Sequence, residues 1–368
     1  MSAQLRIAVI GGGIAGVSIA YELAARADVI LLEQESELAY HTTGRSAAMY
    51  LQTYGNELVR ALTAASREDF DRIQAEFKTA PLLTPQPLLW ARFRESNHQV
   101  PVGGPLRELS VGEAVVLCPA LRADLLTGAA LDTSAMEIEV LALHQAYVRG
   151  LVGRGGEIRR TSPVGGLRKD AGSWAVDTPV GQFNVDVVVN AAGAWVDVVA
   201  GVAGVAPVGI KPLRRTLFTC PVTHPNPIDG WPFVSDLGER FYFMAEHDQV
   251  LVSPADETPD KPGDARPREA DIAAAIEVVN AHTTLNLRSV RASWAGLRSF
   301  VADRSPVVGA RQDEAGFFWF AGQGGYGIQM APALARSGAS LLLDGRLPDD
   351  VVVLGVTAQR LGPDRLGR

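Results

Sequence analysis

The spacing of apolar positions changes several times along this chain, and each change marks an element. Residues 6–10 (RIAVI) form a short unbroken apolar run, the signature of a parallel strand covered on both faces. Glycines follow, and apolar residues then recur at helical spacing over 15–26 before a second buried strand at 29–32 ends in Glu33. These segments predict a βαβ unit. Residues 53–77 carry the helical period on a polar-faced segment (LVRALTAASREDFDRI). From 81 to 138 short apolar stretches, prolines and alternation predict antiparallel strands, and 139–154 predicts an amphipathic helix. The stretches GEIRR, SWAVDTP and FNVDVVVNAAG read as a small sheet leading back to a buried parallel strand. Antiparallel strands are predicted again over 210–252, a helix over 271–280, a buried strand at GFFWFAG, and a final apolar helix over 331–343.

The order of these elements predicts an α/β protein. A discontinuous Rossmann-like nucleotide-binding domain (1–80, 139–205 and 288–368) carries an inserted α+β substrate domain with an antiparallel sheet (81–138 and 206–287).

Composition narrows the options. The 368 residues are 47% hydrophobic and carry a net charge of −7, without long like-charge runs, which excludes a basic nucleic-acid surface. The N-terminal apolar stretch is broken by Gly11, Gly12, Gly13 and Gly16 and interrupted by Glu22, Arg26 and Asp28. It falls short of the roughly 18 apolar residues that a membrane span needs, and the expected location is cytoplasmic. Cys118 and Cys220 match no metal-ligand spacing, so no metal site is expected.

The glycines carry the first chemistry. Gly11, Gly13 and Gly16 stand in the G-x-G-x-x-G order between a strand and a helix, where glycine permits a tight turn and close approach to a pyrophosphate. The helix start, at Ile14 and Ala15, offers N–H groups and positive dipole character to phosphates. Glu33, twenty residues after Gly13, ends the second strand with a carboxylate suited to ribose hydroxyls. This pattern alone admits either FAD or NAD.

Three further segments decide between them: YHTTGRSAAMY (40–50), VVNAAGAW (188–195) and GQGGYGIQM (322–330). With the fingerprint, they resemble the D-amino-acid-oxidase-like flavoproteins, a family that includes glycine oxidase, sarcosine oxidase and bacterial D-amino-acid dehydrogenases. The likeness is strongest to the D-arginine-dehydrogenase type and extends through WAGLRSF (294–300) to the C-terminal helix. It implies FAD, held non-covalently because no cysteine follows Cys220. It also implies cofactor contacts from Gln34, Thr43, Gly44, Arg45, Ser46, Ala48, Val164, Ala192, Gly193, Trp195, Gly324, Gly325, Tyr326, Gly327 and Gln329. In physical terms, Arg45 would set a cation beside phosphates or ring oxygens, and the helix after Gly327 would favour negative charge on the reduced ring.

For the substrate, the resemblance implies a carboxylate clamp from Arg298 (WAGLRSF) and Arg215 (PLRRTLF), with Arg214 on the opposite sheet face. Tyr242 would donate its hydroxyl to the same carboxylate, Tyr54 resembles the active-site lid tyrosine or else is a core aromatic, and Gly325 and Gln329 would lie near the amino group and flavin. The α-hydrogen would leave as hydride to flavin N5, and the imine would hydrolyse, with no side-chain base required. His41 reads as structural or cofactor-adjacent. Two departures stand out. Met49 replaces a substrate-contacting histidine, and Leu88 replaces the glutamate that holds a guanidinium in the arginine-specific relatives.

An apolar or uncharged D-amino acid is therefore the expected substrate, rather than a cationic one. Glycine-oxidase-like cleavage of an N-substituted glycine, releasing glyoxylate and a primary amine, is the alternative. A non-catalytic flavin-binding module is a third reading, which the paired arginines disfavour.

Overall fold

A computed structural model describes residues 4–96, 98, 105–170 and 172–367. The predicted βαβ unit forms, from strand Arg6–Ile10 through helix Ile14–Leu23 to strand Asp28–Leu32, with the strands parallel and in register. Around it six strands align in the order Val307–Gly309, Phe317–Ala321, Val187–Asn190, Arg6–Ile10, Asp28–Leu32, Glu157–Arg159. All pairs but the first are parallel. Apolar side chains on both faces account for the unbroken runs in the sequence: Ile7 and Val9 enter one core cluster, Ala8 and Ile10 another.

Helix Gly327–Asp344 packs on helices Ile14–Leu23 and Glu57–Phe77. The helix over 57–77 starts at Asn56, whose side chain accepts from the Val59 N–H. Helix Gly327–Asp344 begins four residues earlier than its apolar pattern predicts, at the end of the glycine segment, and two four-residue helices follow it. A three-stranded meander, Gly166–Asp170, Ser173–Thr178 and Gly181–Val185, leads into strand Val187–Asn190. The stretch GEIRR, expected in that small sheet, instead forms strand Glu157–Arg159, which pairs in parallel with Asp28–Leu32 at the edge of the large sheet.

The second large sheet has nine strands. Its order is Thr258–Pro259, Lys211–Pro221, Gln249–Ser253, Tyr242–Glu246, Phe233–Asp236, Leu88–Phe93, Leu126–Asp132, Leu106–Leu109. Strand Ala292–Phe300 adds on Lys211–Pro221 through nine paired residues. That pairing places 292–300 in the antiparallel sheet, whereas the sequence-based division assigned these residues to the nucleotide-binding portion. Another difference lies inside the insertion, where Leu88–Phe93 pairs in parallel with Phe233–Asp236. Helix Val111–Leu117 also forms there under a capping box of Ser110 and Glu113.

His144, on helix Val140–Gly153, reaches the glycine turn of the first sheet. It is buried, and its Nε2 lies 2.9 Å from the Gly12 carbonyl oxygen. Burial holds its pKa below the ordinary 6.5, more than the Gly12 contact raises it. As pH falls, the unfolded chain therefore takes up this proton before the folded one does. The contribution to stability is complete above about pH 6.5 and is lost as pH falls towards the folded pKa. His144→Gln retains an N–H donor without the titration. Its thermal midpoint should decline less steeply than the wild type's between pH 6.5 and 5. Parallel curves would refute the assignment.

Candidate active site

A cleft of about 370 Å³ runs between the two large sheets, from the fingerprint glycines to the start of helix Gly327–Asp344. At one end the backbone is too close for side chains. A Cβ on Gly16 would lie 1.8 Å from the Gly11 carbonyl oxygen, and one on Gly11, at φ +111°, would lie 2.6 Å from the Ala191 oxygen. Gly16 thus packs the helix onto the strand from behind the lining, while Gly11, Gly13, Ile14 and Ala15 line the cleft. The Glu33 carboxylate lines it too, and accepts from the Gly12 N–H at 2.6 Å and the Glu35 N–H at 2.9 Å. These bonds clamp the glycine turn to the second strand.

The segment Thr42–Arg45 is a short 3-10 turn that joins the sheets. Thr43 Oγ1 accepts from the Ile14 N–H, and Thr42 Oγ1 exchanges bonds with both the N–H and the carbonyl of Leu297. Arg45 lines the cleft, and its guanidinium donates to the carbonyls of Ala295 and Ala265 and to Asp264, so it also ties this turn to strand Ala292–Phe300. Gly44 also lies off the lining; a Cβ there would meet the Ala39 oxygen at 2.6 Å. Ser46 accepts from the Ala48 N–H. Gln34, Ala48, Val164, Ala192, Gly193 and Trp195 all line the cleft, and His41 is held there by Glu35 at 3.0 Å and by the Trp195 ring.

At the other end Gly324, Gly325, Gly327 and Gln329 line the wall, but Tyr326 does not. The Tyr326 ring is buried behind it against Tyr54 and Phe300. The Gln329 amide is likewise engaged within the protein, by Thr63 Oγ1 and by both backbone groups of Leu51. It fixes the 51–54 segment relative to helix Gly327–Asp344.

The two arginines of the expected clamp meet because of strand register. Arg215 pairs with Gly296, two residues from Arg298, so the period of two puts both on one face. Arg214 points the other way, where Asp256, Asp260 and Asp271 surround its buried guanidinium. Arg298 is buried and donates to the Tyr54 hydroxyl at 3.2 Å and to Glu257 at 3.3 Å. Burial alone would lower its pKa, but Tyr54, Tyr242 and Tyr326 hold it above the usual arginine range. Its planar fork passes directly over Gly325, where a Cβ would sit 1.7 Å from Nη2. Arg215 donates to the Asp256 carbonyl and lies beside the Tyr242 ring, which stacks on Phe233.

Met49 and Leu88 line the same cleft, joined by Leu51, Trp90, Leu217 and Phe233. Trp90 and Leu217 were legible as the i+2 neighbours of Leu88 and Arg215 on their strands. Glu239 at the rim and Glu257 behind the arginines, both in turns or loops, had no periodic signal.

The residues present fit an FAD: a glycine rim that excludes side chains, a helix start aimed at it and an acidic strand end. Both cysteines are buried in the core of the second sheet, away from the cleft, and burial pushes their thiols up to about 12 and about 11. The fold and cleft define a flavin-dependent oxidoreductase. The chain belongs to the DAO family of FAD-dependent oxidoreductases, whose family model matches residues 6–341. It is similar to the glycine oxidase of Geobacillus kaustophilus, with 24% identity over 388 residues, covering 100% of this chain and 98% of the relative. Among solved structures, L-proline dehydrogenase from P. horikoshii has a TM-score of 0.82 at 21% identity, covering 99% of this chain and 98% of that one. Iminodiacetate oxidase from Chelativorans sp. has a TM-score of 0.78 at 20% identity, covering 97% and 99%. Among the described residues, no helix is long and apolar enough to cross a membrane.

Proposed function

We propose that the chain, with FAD held non-covalently, oxidises the Cα–N bond of an amino acid with an apolar or uncharged side chain, in the D series. The observation that carries this reading is one cleft with Arg298 and Arg215 at one side and an apolar wall of Met49, Leu51, Leu88, Trp90 and Leu217 beside them. FAD, when bound, supplies the hydride acceptor. The protein's own part is positioning. Arg298 and Arg215 grip the carboxylate, Tyr54 orients Arg298 through its hydroxyl, and the apolar wall excludes water and receives the side chain.

The test is anaerobic bleaching of the flavin by a panel of D-amino acids, run on the wild type and on Leu88→Glu. The wild type should favour D-leucine and D-phenylalanine over D-arginine. A glutamate in that apolar wall should move the ratio of kcat/KM values towards D-arginine by about 10²-fold, since it replaces a repulsive environment for a cation with a partner. A wild-type preference for D-arginine, which Glu239 at the rim could serve, would overturn the apolar reading.

A second reading is oxidative cleavage of an N-substituted glycine. It is favoured by full-length similarity to a glycine oxidase and structural likeness to an oxidase of iminodiacetate, which is itself an N-substituted glycine. The same clamp serves it, with the apolar wall receiving the nitrogen substituent. Bleaching by N-alkylglycines alone, with glyoxylate released, would select it.

A further inference from the structure

Three arginines converge on one carboxylate that does not line the cleft. Glu257 Oε1 accepts from Arg298 at 3.3 Å, from Arg215 at 3.4 Å and from Arg304 at 2.7 Å, and its Oε2 accepts from Arg304 at 3.0 Å. Arg304 stands outside the cleft, half exposed, with its guanidinium 3.8 Å from the centre of the Phe300 ring. Arg298 and Arg215 face the substrate space with one side and Glu257 with the other.

We infer that Glu257 is a specificity-determining residue that limits the charge of the carboxylate clamp, so that a second substrate carboxylate gains less from the site than the arginine pair alone would give it. The inference rests on the clamp reading above. Three cations against one anion leave a local charge of +2. One substrate carboxylate lowers this to +1, and the residual charge stays on Arg304 at the surface, where water screens it. Without the Glu257 charge, the buried pair alone would present two uncompensated guanidinium groups to the cleft. That arrangement attracts dianions and holds any carboxylate more tightly than turnover needs. Burial works against ionisation of Glu257, but the bond and charge of Arg304, followed by the charges of Arg298 and Arg215, hold its carboxyl below the usual range. It is therefore an anion at neutral pH.

The sign of the effect separates this role from mere support. Glu257→Gln keeps an oxygen for the arginines and removes the charge. Arg304→Leu removes the outer cation and leaves the Glu257 charge undivided on the clamp. In titrations of the FAD-loaded protein with benzoate, followed by the flavin absorbance change, Glu257→Gln should tighten binding roughly three- to tenfold and Arg304→Leu should loosen it by a similar factor. Malonate should gain more than benzoate in Glu257→Gln, because both its charges feel the change.

A purely structural Glu257 predicts looser binding in both variants, and that result overturns the inference. So does unchanged affinity in Glu257→Gln when Arg298→Met has lost benzoate, an outcome that leaves the clamp standing. Benzoate bound as tightly by Arg298→Met as by the wild type would overturn clamp and inference together.

Discussion

Arg298→Met is expected to lower kcat/KM for the best amino-acid substrate on the order of 10³-fold, with flavin content unchanged. Arg298 is a buried cation whose charge is held by the tyrosines around it, and its fork passes over Gly325 into the cleft. Truncating one partner of a buried, hydrogen-bonded charge pair costs about 2–5 kcal/mol, and each 1.4 kcal/mol is about tenfold. Lysine at the same position restores charge without the planar fork, so Arg298→Lys should recover only part of the loss. Arg215→Met should cost less, about tenfold. Its guanidinium is also engaged by the Asp256 carbonyl, and it lies two pairs along the register from Arg298. Steady-state kinetics on FAD-saturated proteins decide the matter. A loss below tenfold for Arg298→Met would remove it from the carboxylate site.

Gly16→Ala should abolish flavin retention and destabilise the fold by at least about 3 kcal/mol, well beyond an ordinary surface substitution. The added methyl would lie 1.8 Å from the Gly11 carbonyl oxygen, a backbone atom with no rotamer to relieve the clash. Relief would require the helix Ile14–Leu23 to move off its strand, opening the glycine turn whose geometry Glu33 and Thr43 maintain. Gly112→Ala is the control: a Cβ there meets nothing within 4 Å, and the residue sits in a helix, where alanine is the better former. The ratio of flavin to protein absorbance after purification, with thermal midpoints of both variants, reads the outcome. Normal flavin content in Gly16→Ala would mean that the close packing at this turn is dispensable.

The two substitutions probe parts of the molecule that were unequally legible. The glycine turn could be read in full, because the strand, the turn and the helix are contiguous and each constraint acts between near neighbours. The capping box of Ser110 and Glu113 was equally local, yet it went unread among the prolines and alternating residues of the insertion. Arg45 shows the opposite limit. Its place in TTGRS suggested a cofactor contact, and it does line the cleft, but the acceptors its guanidinium takes, two carbonyls and Asp264, come from segments about 220 and 250 residues away that only the fold brings within reach. Glu257 was invisible for a related reason: a loop carboxylate has no periodic partner, and only the fold surrounds it with three arginines.

The sequence by itself determined the dinucleotide-binding turn and the alternation of elements, while FAD followed from the resemblance of its motifs to a known family. Apolar period and glycine placement are set by interactions a few residues apart, and they survive without knowledge of the rest of the chain. It also marked Arg298, Arg215, Leu88 and Met49 as candidates through their motifs. Only the tertiary structure decided that these residues share one cleft. Arg298 meets Tyr54 across 244 residues of chain, through the register of strands Lys211–Pro221 and Ala292–Phe300. That register moved residues 292–300 into the antiparallel sheet and turned Arg214 away from the cleft while leaving Arg215 in it. The physical reason is that a strand's own pattern states which residues share a face, whereas the partner strand and the bodies packed against it decide what that face meets.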